Sequence, residues 1–329
     1  MLALTWVSGL VMRRTLRLVG TAAAVAMAVA MFASLGAFFA ASKAHMTRQA
    51  VAGVPVDWQV QLAPGASAPG ASAPGAGPAS ASPASVGQVI ARTRGVTASL
   101  PVSYASTTGL AASTAGTTQT TGPGKVLGLP AAYAATFPGE IRYLVGAHSG
   151  VLIAQQTAAN LHATVGTVVS IGRQGQQPFR ARIDGVVDLP SADSLFQAVG
   201  AAPGTSLQAP PDNVVLLPQA VWQQAFGSAG SGQAAAAATY TQYHVRLSGA
   251  LPPDPAAAFT DVTARAKNLE ARLSGAGLVG NNIAAQLDAA RKDALYAQLL
   301  FLFLGLPGIV LAALLTGVIG ATGGDRRRR

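Results

Sequence analysis

Cysteine is absent from this chain, so neither a disulfide framework nor a thiolate metal site can form. Charge is scarce as well: 10% of the residues are Asp, Glu, Lys or Arg, against about a quarter in an ordinary soluble domain. The histidines, His45, His148, His162 and His244, show no metal-ligand spacing with one another. Gly122-Pro123-Gly124-Lys125-Val126 ends in Gly-Lys but lacks the earlier glycine spacing and the Ser or Thr of a P-loop, and its proline removes an amide needed to cradle phosphate. In Gly146-Ala147-His148-Ser149-Gly150 a histidine holds the place where a nucleophile elbow needs serine. Asp184 and Asp188 share a strand parity and Asp193 follows them, which leaves a carboxylate site open, but solvated strand-end aspartates are the expectation. The reading is therefore of a chain with no catalytic, cofactor-binding or metal-binding residue, and not an enzyme.

Two long uncharged runs stand against these absences. Neither Leu18 to Ser42 nor Ala294 to Gly324 carries a charge. At about 1.5 Å per residue, each is long enough to cross a hydrocarbon core of about 30 Å as a helix. No ionisable residue marks a proton or ion path inside either run. Arg13, Arg14 and Arg17 precede the first run, and Arg326, Arg327, Arg328 and Arg329 follow the second. With Asp325 these flanks supply +6 of the net +10, while residues 43–293 carry 15 basic and 11 acidic side chains. That clustering excludes a nucleic-acid surface and fits the positive-inside rule, with both termini cytoplasmic and the middle of the chain outside. A signal peptide has an apolar region of about 7–15 residues. The longer first run reads as an uncleaved anchor, with cleavage at Ala40 to Ser42 as the alternative.

The division that follows is an amphipathic cytoplasmic helix at 1–17, a first span at 18–42, an exterior domain at 43–293, a second span at 294–324 and a basic tail at 325–329. Leu4, Trp6, Val7, Leu10 and Val11 give the first helix its apolar side. Val54 to Leu62 alternates with period two and predicts a strand. Residues 63–85 repeat Ala, Pro, Gly and Ser and read as a low-complexity insert with nothing to bury. Val86 to Arg94 reads as helix and Val96 to Tyr104 as a strand, on an edge because of Pro101. Ala111 to Gly124 reads as a loop, and Val151 to His162 as helix. Thr164 to Ile171, Phe179 to Leu189, Asn213 to Leu217 and Thr239 to Leu247 read as strands, with a helix at Gln219 to Phe226. The sum is an α+β exterior domain, in one lobe or two, between two transmembrane helices.

The clearest local signal lies between the last strand and the second run. Asp254 can cap a helix that has Pro255 in its first turn, and Gly275 stands where the helix should stop. Phe259, Val262, Ala266, Leu269 and Leu273 follow a 3,4,3,4 spacing, a seam for another helix. After a Gly-rich turn, Asn281 or Asn282 can cap a second helix through Ile283, Leu287, Ala290 and Ala294. Nothing breaks that helix before Gly305 and Pro307, so stalk and span read as one rod with a kink near Pro307.

Several stretches resemble the FtsX-like (MacB-like) family of ABC transporter permeases. They are TWVSGLVMRRTLRLVGTAAAVAMAVAMFASLGAFFAASKAHM, GVLIAQQTAANLHATVGTVVSIG, RARIDGVVDLPSADSLF and RKDALYAQLLFLFLGLPGIVLAALLTGVIGATGGDRRRR. The resemblance implies a bacterial cytoplasmic-membrane protein with no bound cofactor of its own. A separate cytosolic ABC ATPase and a remaining permease half or second permease chain would be its partners, beside the lipid bilayer. It would serve export of lipid, lipoprotein or peptide, or envelope regulation. The family usually reads Gly-Asp where this chain has Gly166-Thr167, so a different turn is expected there. The family also continues into further spans beyond the position of Arg329, which leaves a fragment, a split half-permease and a decayed product all open. The competing reading is a membrane-tethered exterior adaptor or receptor without ATP coupling, and a tethered envelope enzyme comes last.

Overall fold

An alanine-rich segment free of proline forms the first helix, α1 (Thr15–Ala52), which ends where Gly53 and Pro55 break the pattern. The structure, a computed structural model, describes residues 15–63, 82–114, 116–196, 199, 210–227 and 239–325, and of 304–325 the helical backbone alone. Residues 1–14, with Arg13 and Arg14, residues 64–81 and Arg326 to Arg329 lie outside the described residues. Arg17 and Pro307 are placed on helices by their backbone only. The end of the first span expected at Ser42 is no structural boundary, because α1 continues to Ala52. The segment Val29–Ala52 is long and apolar enough to cross a membrane.

The domain beyond α1 is α+β. Its strands are β1 (Trp58–Leu62), β2 (Val96–Thr107), β3 (Leu110–Thr114), β4 (Thr117–Thr120), β5 (Gly124–Leu129), β6 (Arg142–Gly146), β7 (Leu152–Ala154), β8 (Val168–Arg173), β9 (Gln176–Arg182), β10 (Gly185–Asp188), β11 (Val214–Pro218), β12 (Thr239–Leu247) and β13 (Gly277–Asn281). The helices after α1 are α2 (Pro83–Ala91), α3 (Tyr133–Thr136), α4 (Gln155–Asn160), α5 (Ala192–Phe196), α6 (Gln219–Phe226), α7 (Pro255–Leu273) and α8 (Asn282–Asp325). Nine strands form a mixed sheet in the order β13-β1-β12-β2-β5-β11-β7-β10-β6, and four form an antiparallel sheet in the order β4-β3-β8-β9. The chain visits the small sheet twice: it leaves the large sheet after β2 for β3 and β4 and returns as β5, then leaves after β7 for β8 and β9 and returns through Ile183-Asp184 to β10.

Strand alternation sorts the core. Trp58, Val60 and Leu62 of β1 join Tyr243 and Val245 of β12 under α2 and α7. Further along the same face, Val126, Ile153, Val215 and Leu217 pack against Leu110, Val169 and Ile171 of the small sheet and Trp222 of α6. The opposite face carries Tyr104, Leu127, Leu152 and Leu216 under Tyr133, Phe137 and Leu195.

Several expectations are corrected. Residues 54–57 precede the first strand instead of opening it. The insert ends earlier than 85: Ser82 accepts a hydrogen bond from the Ser85 amide and Pro83 opens α2. Ala111 to Gly124 is not a loop, because its β-branched threonines pair as β3 and β4. Val151 to His162 begins as strand β7, and only Gln155–Asn160 is helical. Phe179 to Leu189 is two strands in two sheets. The Gly-rich turn before Asn281 contains β13, an edge strand beside β1. Strand β2 lies inside the sheet, although β5 pairs with it only from Ser103 onward, so Pro101 has a strand on one flank alone.

Candidate functional site at the helix–domain junction

The expected seam on α7 is real as a buried stripe but divided in its partners. Ala266, Leu269 and Leu273 share a cluster with Trp58, Val60 and Val279 of the sheet and with Val86 and Ile90 of α2. Val262 and the partly buried Phe259 meet Ile283, Ala284 and Leu287 of α8, with Ala50 and Val51 from the end of α1 and Val54 just beyond it. A 3,4 spacing describes any apolar helical stripe, whatever surface lies opposite. Ala290 is half-buried and Ala294 buried on the same side of α8.

Hydrogen bonds at helix ends lock this junction. Asp254 Oδ1 accepts from the amides of Ala256 and Ala257 at 2.9 and 3.1 Å, while its Oδ2 lies 2.9 Å from Lys43 Nζ on α1. Lys43's hydrogen bond, aided by those amides, holds the Asp254 carboxyl below its ordinary range. Thr47 donates to the Pro253 carbonyl at 2.8 Å. Asn281 caps α8, its Oδ1 accepting from Ala284 N at 3.0 Å, and its Nδ2 donates to the Val262 carbonyl at 3.0 Å. Asn282 Nδ2 donates to the Val56 carbonyl at 2.9 Å. At the other end of α7, Ser274 and Gly275 both have left-handed backbone, with φ of 50° and 85°. Glycine takes that conformation freely, as the stop signal requires.

Charge is concentrated on one turn of α8. Asp288, buried at 5% exposure, lies 2.7 Å from Lys292 Nζ, and Arg291 Nε donates to its Oδ1 at 2.7 Å. The bond from Lys292, then that from Arg291, keeps its carboxyl below the usual range. The Arg291 guanidinium also sits 4.1 Å from the centre of the Phe259 ring. Beyond it, Phe301 of α8 meets Phe39 and Phe38 of α1 edge-on, at 5.0 and 6.1 Å between ring centres.

Asp57 is the outlier. Its Oδ2 accepts from the Leu247 amide, its own amide donates to the Val245 carbonyl, and its carbonyl accepts from the Asn282 amide. Burial pushes its carboxyl up to about 6 against that amide bond and the charge of Arg246.

His244, His148, Asp184 and Asp188 have separate structural partners. His244 is fully buried between Tyr133 Oη, 2.7 Å from Nδ1, and Tyr104 Oη, 3.1 Å from Nε2. Tyr104 also donates to the Leu195 carbonyl at 3.1 Å. The chain closes when Tyr133 donates to Nδ1 and Nε2–H donates to Tyr104, a neutral imidazole. Burial pushes His244 down to about 3, in agreement. His148 is exposed and stacks on Tyr143 at 4.3 Å. Asp184 accepts from the Val151 amide and Asp188 pairs with Arg142, so the two carboxylates are engaged apart. Lys125 of the Gly-Lys stretch lies on β5 and donates to Ser106 Oγ. The Gly166-Thr167 turn has Gly166 at φ 91°, with the Thr167 hydroxyl accepting from the Thr164 amide. Among the described residues no group of His, Cys, Asp and Glu is placed to hold a metal ion.

The sequence reading missed Lys43, Thr47, Asp57 and the Phe38–Phe39–Phe301 contact. Asp288 with Arg291 and Lys292 was legible as i,i+3 and i,i+4 pairing. Lys43 and Asp254, 211 positions apart, left no local signal.

No family profile matches the chain, and no curated protein matches it in sequence. Among solved structures it is similar to the periplasmic region of MacB from Actinobacillus actinomycetemcomitans, at 11% identity and a TM-score of 0.38, over 70% of this chain and 92% of that one.

Proposed function

We propose that this chain is a permease half of an ABC transporter, in which α1 and α8 cross the bacterial cytoplasmic membrane and the α+β domain stands outside. On this reading both termini are cytoplasmic. A separate cytosolic ATPase supplies the movement, a further permease half or second chain completes the complex, and α8 relays the stroke to the domain. The substrate class is lipid, lipoprotein or peptide, or the output is control of an envelope enzyme.

The observation that carries the membrane part is the antiparallel register of the two helices. Val51 and Leu287 belong to one apolar cluster near the domain, and Phe39 meets Phe301 further out. Continuing that register lays the uncharged run at 18–42 beside 297–321, inside the second uncharged run. Two apolar runs that coincide when paired are what a two-helix membrane unit needs. The coupling part rests on the sequence resemblance and on α8 running from the domain junction to Asp325 with no break.

Reporter fusions test the topology. Fusions at Met1 and Arg329 should read cytoplasm and one at Ser248 exterior, and an exterior C-terminus would overturn the assignment. Co-purification of an ATP-binding-cassette subunit tests the partner. A second reading, a tethered adaptor without ATP coupling, is favoured by a cleft of ≈ 340 Å³ whose wall includes Tyr143 and His148. It predicts ligand capture that ATP does not alter.

A further inference from the structure

A second cleft, of ≈ 630 Å³, opens at the junction itself, between the end of α1, the 248–253 loop and the starts of α7 and α8. Its walls are of two kinds. Val51, Leu251 and Ile283 offer apolar surface, while Arg48, Arg246 and Arg265 bring guanidinium groups. Two carboxylates stand against these three guanidinium groups: Asp57, which accepts from the Leu247 amide and feels the charge of Arg246, and Asp261, which pairs with Arg265 at 2.6 Å. Arg246 donates to the Thr136 carbonyl. Arg48 makes no hydrogen bond or ion pair among the described residues. The cleft therefore combines surplus positive charge with an apolar wall, which complements an anion carried on an apolar body.

Position selects the source of that anion. Lys43 is the first charged residue after the uncharged run, and Arg48 lies five residues further, about 7.5 Å along the helix. The polar layer of a bilayer is about 5–8 Å deep on each side of the hydrocarbon. With the run in the hydrocarbon, Arg48 stands at the outer limit of the phosphate groups, with the cleft beside it.

We infer that this cleft binds the phosphate headgroup of an anionic phospholipid from the outer leaflet, against Arg48 and Arg265, with the glycerol end on Val51 and Leu251. The inference rests on the reading that α1 crosses the membrane. Bound lipid would bridge α1 to the 248–253 loop and so tie the stalk to the domain base.

The absence of cysteine makes a single-label test direct. The full chain carrying Ala250→Cys, labelled with a polarity-sensitive dye, is placed in nanodiscs of phosphatidylcholine alone or with increasing phosphatidylglycerol. The dye should report a drier environment only as phosphatidylglycerol rises. Arg48→Gln should shift the midpoint about fivefold to higher anionic lipid, the effect of one basic side chain near an anionic surface. Arg48 has no internal partner, so thermal melting in detergent should be unchanged. An equal response in phosphatidylcholine, or an unshifted midpoint in Arg48→Gln, overturns the proposal. So does the same signal from millimolar inorganic phosphate or glycerophosphate in phosphatidylcholine discs, which would assign the cleft to a soluble anion. A separate Ala33→Cys variant reports the membrane reading. If an impermeant maleimide labels it in nanodiscs, α1 does not cross; if it is protected while the cleft stays silent, the lipid inference alone falls.

Discussion

Asp254 serves two elements at once: one carboxylate oxygen caps α7, and the other lies 2.9 Å from Lys43 on α1. Helix initiation in the domain is thereby coupled to the placement of the long N-terminal helix. The ion pair by itself is modest, since both side chains are about one third exposed and such pairs contribute up to about 1 kcal/mol. The cap adds about 1 kcal/mol more.

Asp254→Ala should therefore destabilise the chain by about 2 kcal/mol, and Lys43→Met by less than about 1 kcal/mol. Asp254→Asn keeps the cap and should resemble Lys43→Met. Denaturant titration of the detergent-solubilised protein measures all three, and equal losses in the first two would mean that the cap contributes nothing.

Asp57 predicts a pH effect of unusual sign. Its folded-state value of about 6 lies above the ordinary 3.8, so the folded chain holds this proton more tightly than the unfolded chain. Its contribution lowers stability as pH rises from about 4 to 6, by of order 3 kcal/mol at most. Asp57→Asn keeps an acceptor for the Leu247 amide and should melt at higher temperature at pH 7.5. The gain should vanish near pH 4. A variant that gains equally at both pH values would show that titration is not the cause.

His244 works in the other direction. The unfolded imidazole takes a proton below its ordinary 6.5, while the buried one resists until about 3. Stability should therefore fall as pH drops from 6.5, and His244→Gln should lose that part of the slope. It should also be less stable at neutral pH, because Tyr133 and Tyr104 lose a buried partner, about 1–3 kcal/mol. An unaltered acid slope in the variant would place the lability elsewhere.

The Arg291–Phe259 contact is best isolated by a double-mutant cycle with Arg291→Lys and Phe259→Leu. Stacking over the ring should appear as a coupling of about 0.5–1 kcal/mol. Additive losses would reduce the pair to separate packing.

Rod stiffness decides between a lever and a tether. Leu287 is fully buried, so softening by substitution there would confuse packing with flexibility. Ala289 and Gln298 are exposed on α8, and glycine at both should cost about 1 kcal/mol each in helix propensity alone. In a complex reconstituted with its ATPase and permease partner, substrate-dependent work should fall while ATP binding and assembly persist. Undiminished work would leave α8 a tether, as the adaptor reading expects.

Some of this molecule is written in short stretches of its sequence. Residues 219–226 and 239–247 fold within the expected limits because amphipathic period and strand propensity are local properties. Asp254, Pro255 and Gly275 delimit α7 for the same reason: a cap acts within one turn. The charge-free runs with their arginine flanks are equally legible, since composition alone fixes what can lie in hydrocarbon.

What the seam on α7 faces was not legible. Apolar period says which side is buried, not against what, so the division of Phe259 to Leu273 between α1 and α8 on one hand and α2 and the sheet on the other is a tertiary outcome. The same holds where Ile183 and Asp184 pass the chain from one sheet to the other, within the stretch Phe179 to Leu189 that reads as one strand. The cleft of Arg48, Arg246 and Arg265 and the Lys43–Asp254 pair depend on α1 meeting residues some two hundred positions away, and the buried Asp57 depends likewise on Val245, Leu247 and Asn282. Only folding makes such distances short, because packing of α1 against α7 and α8 is decided by the whole buried surface and not by any local run of residues.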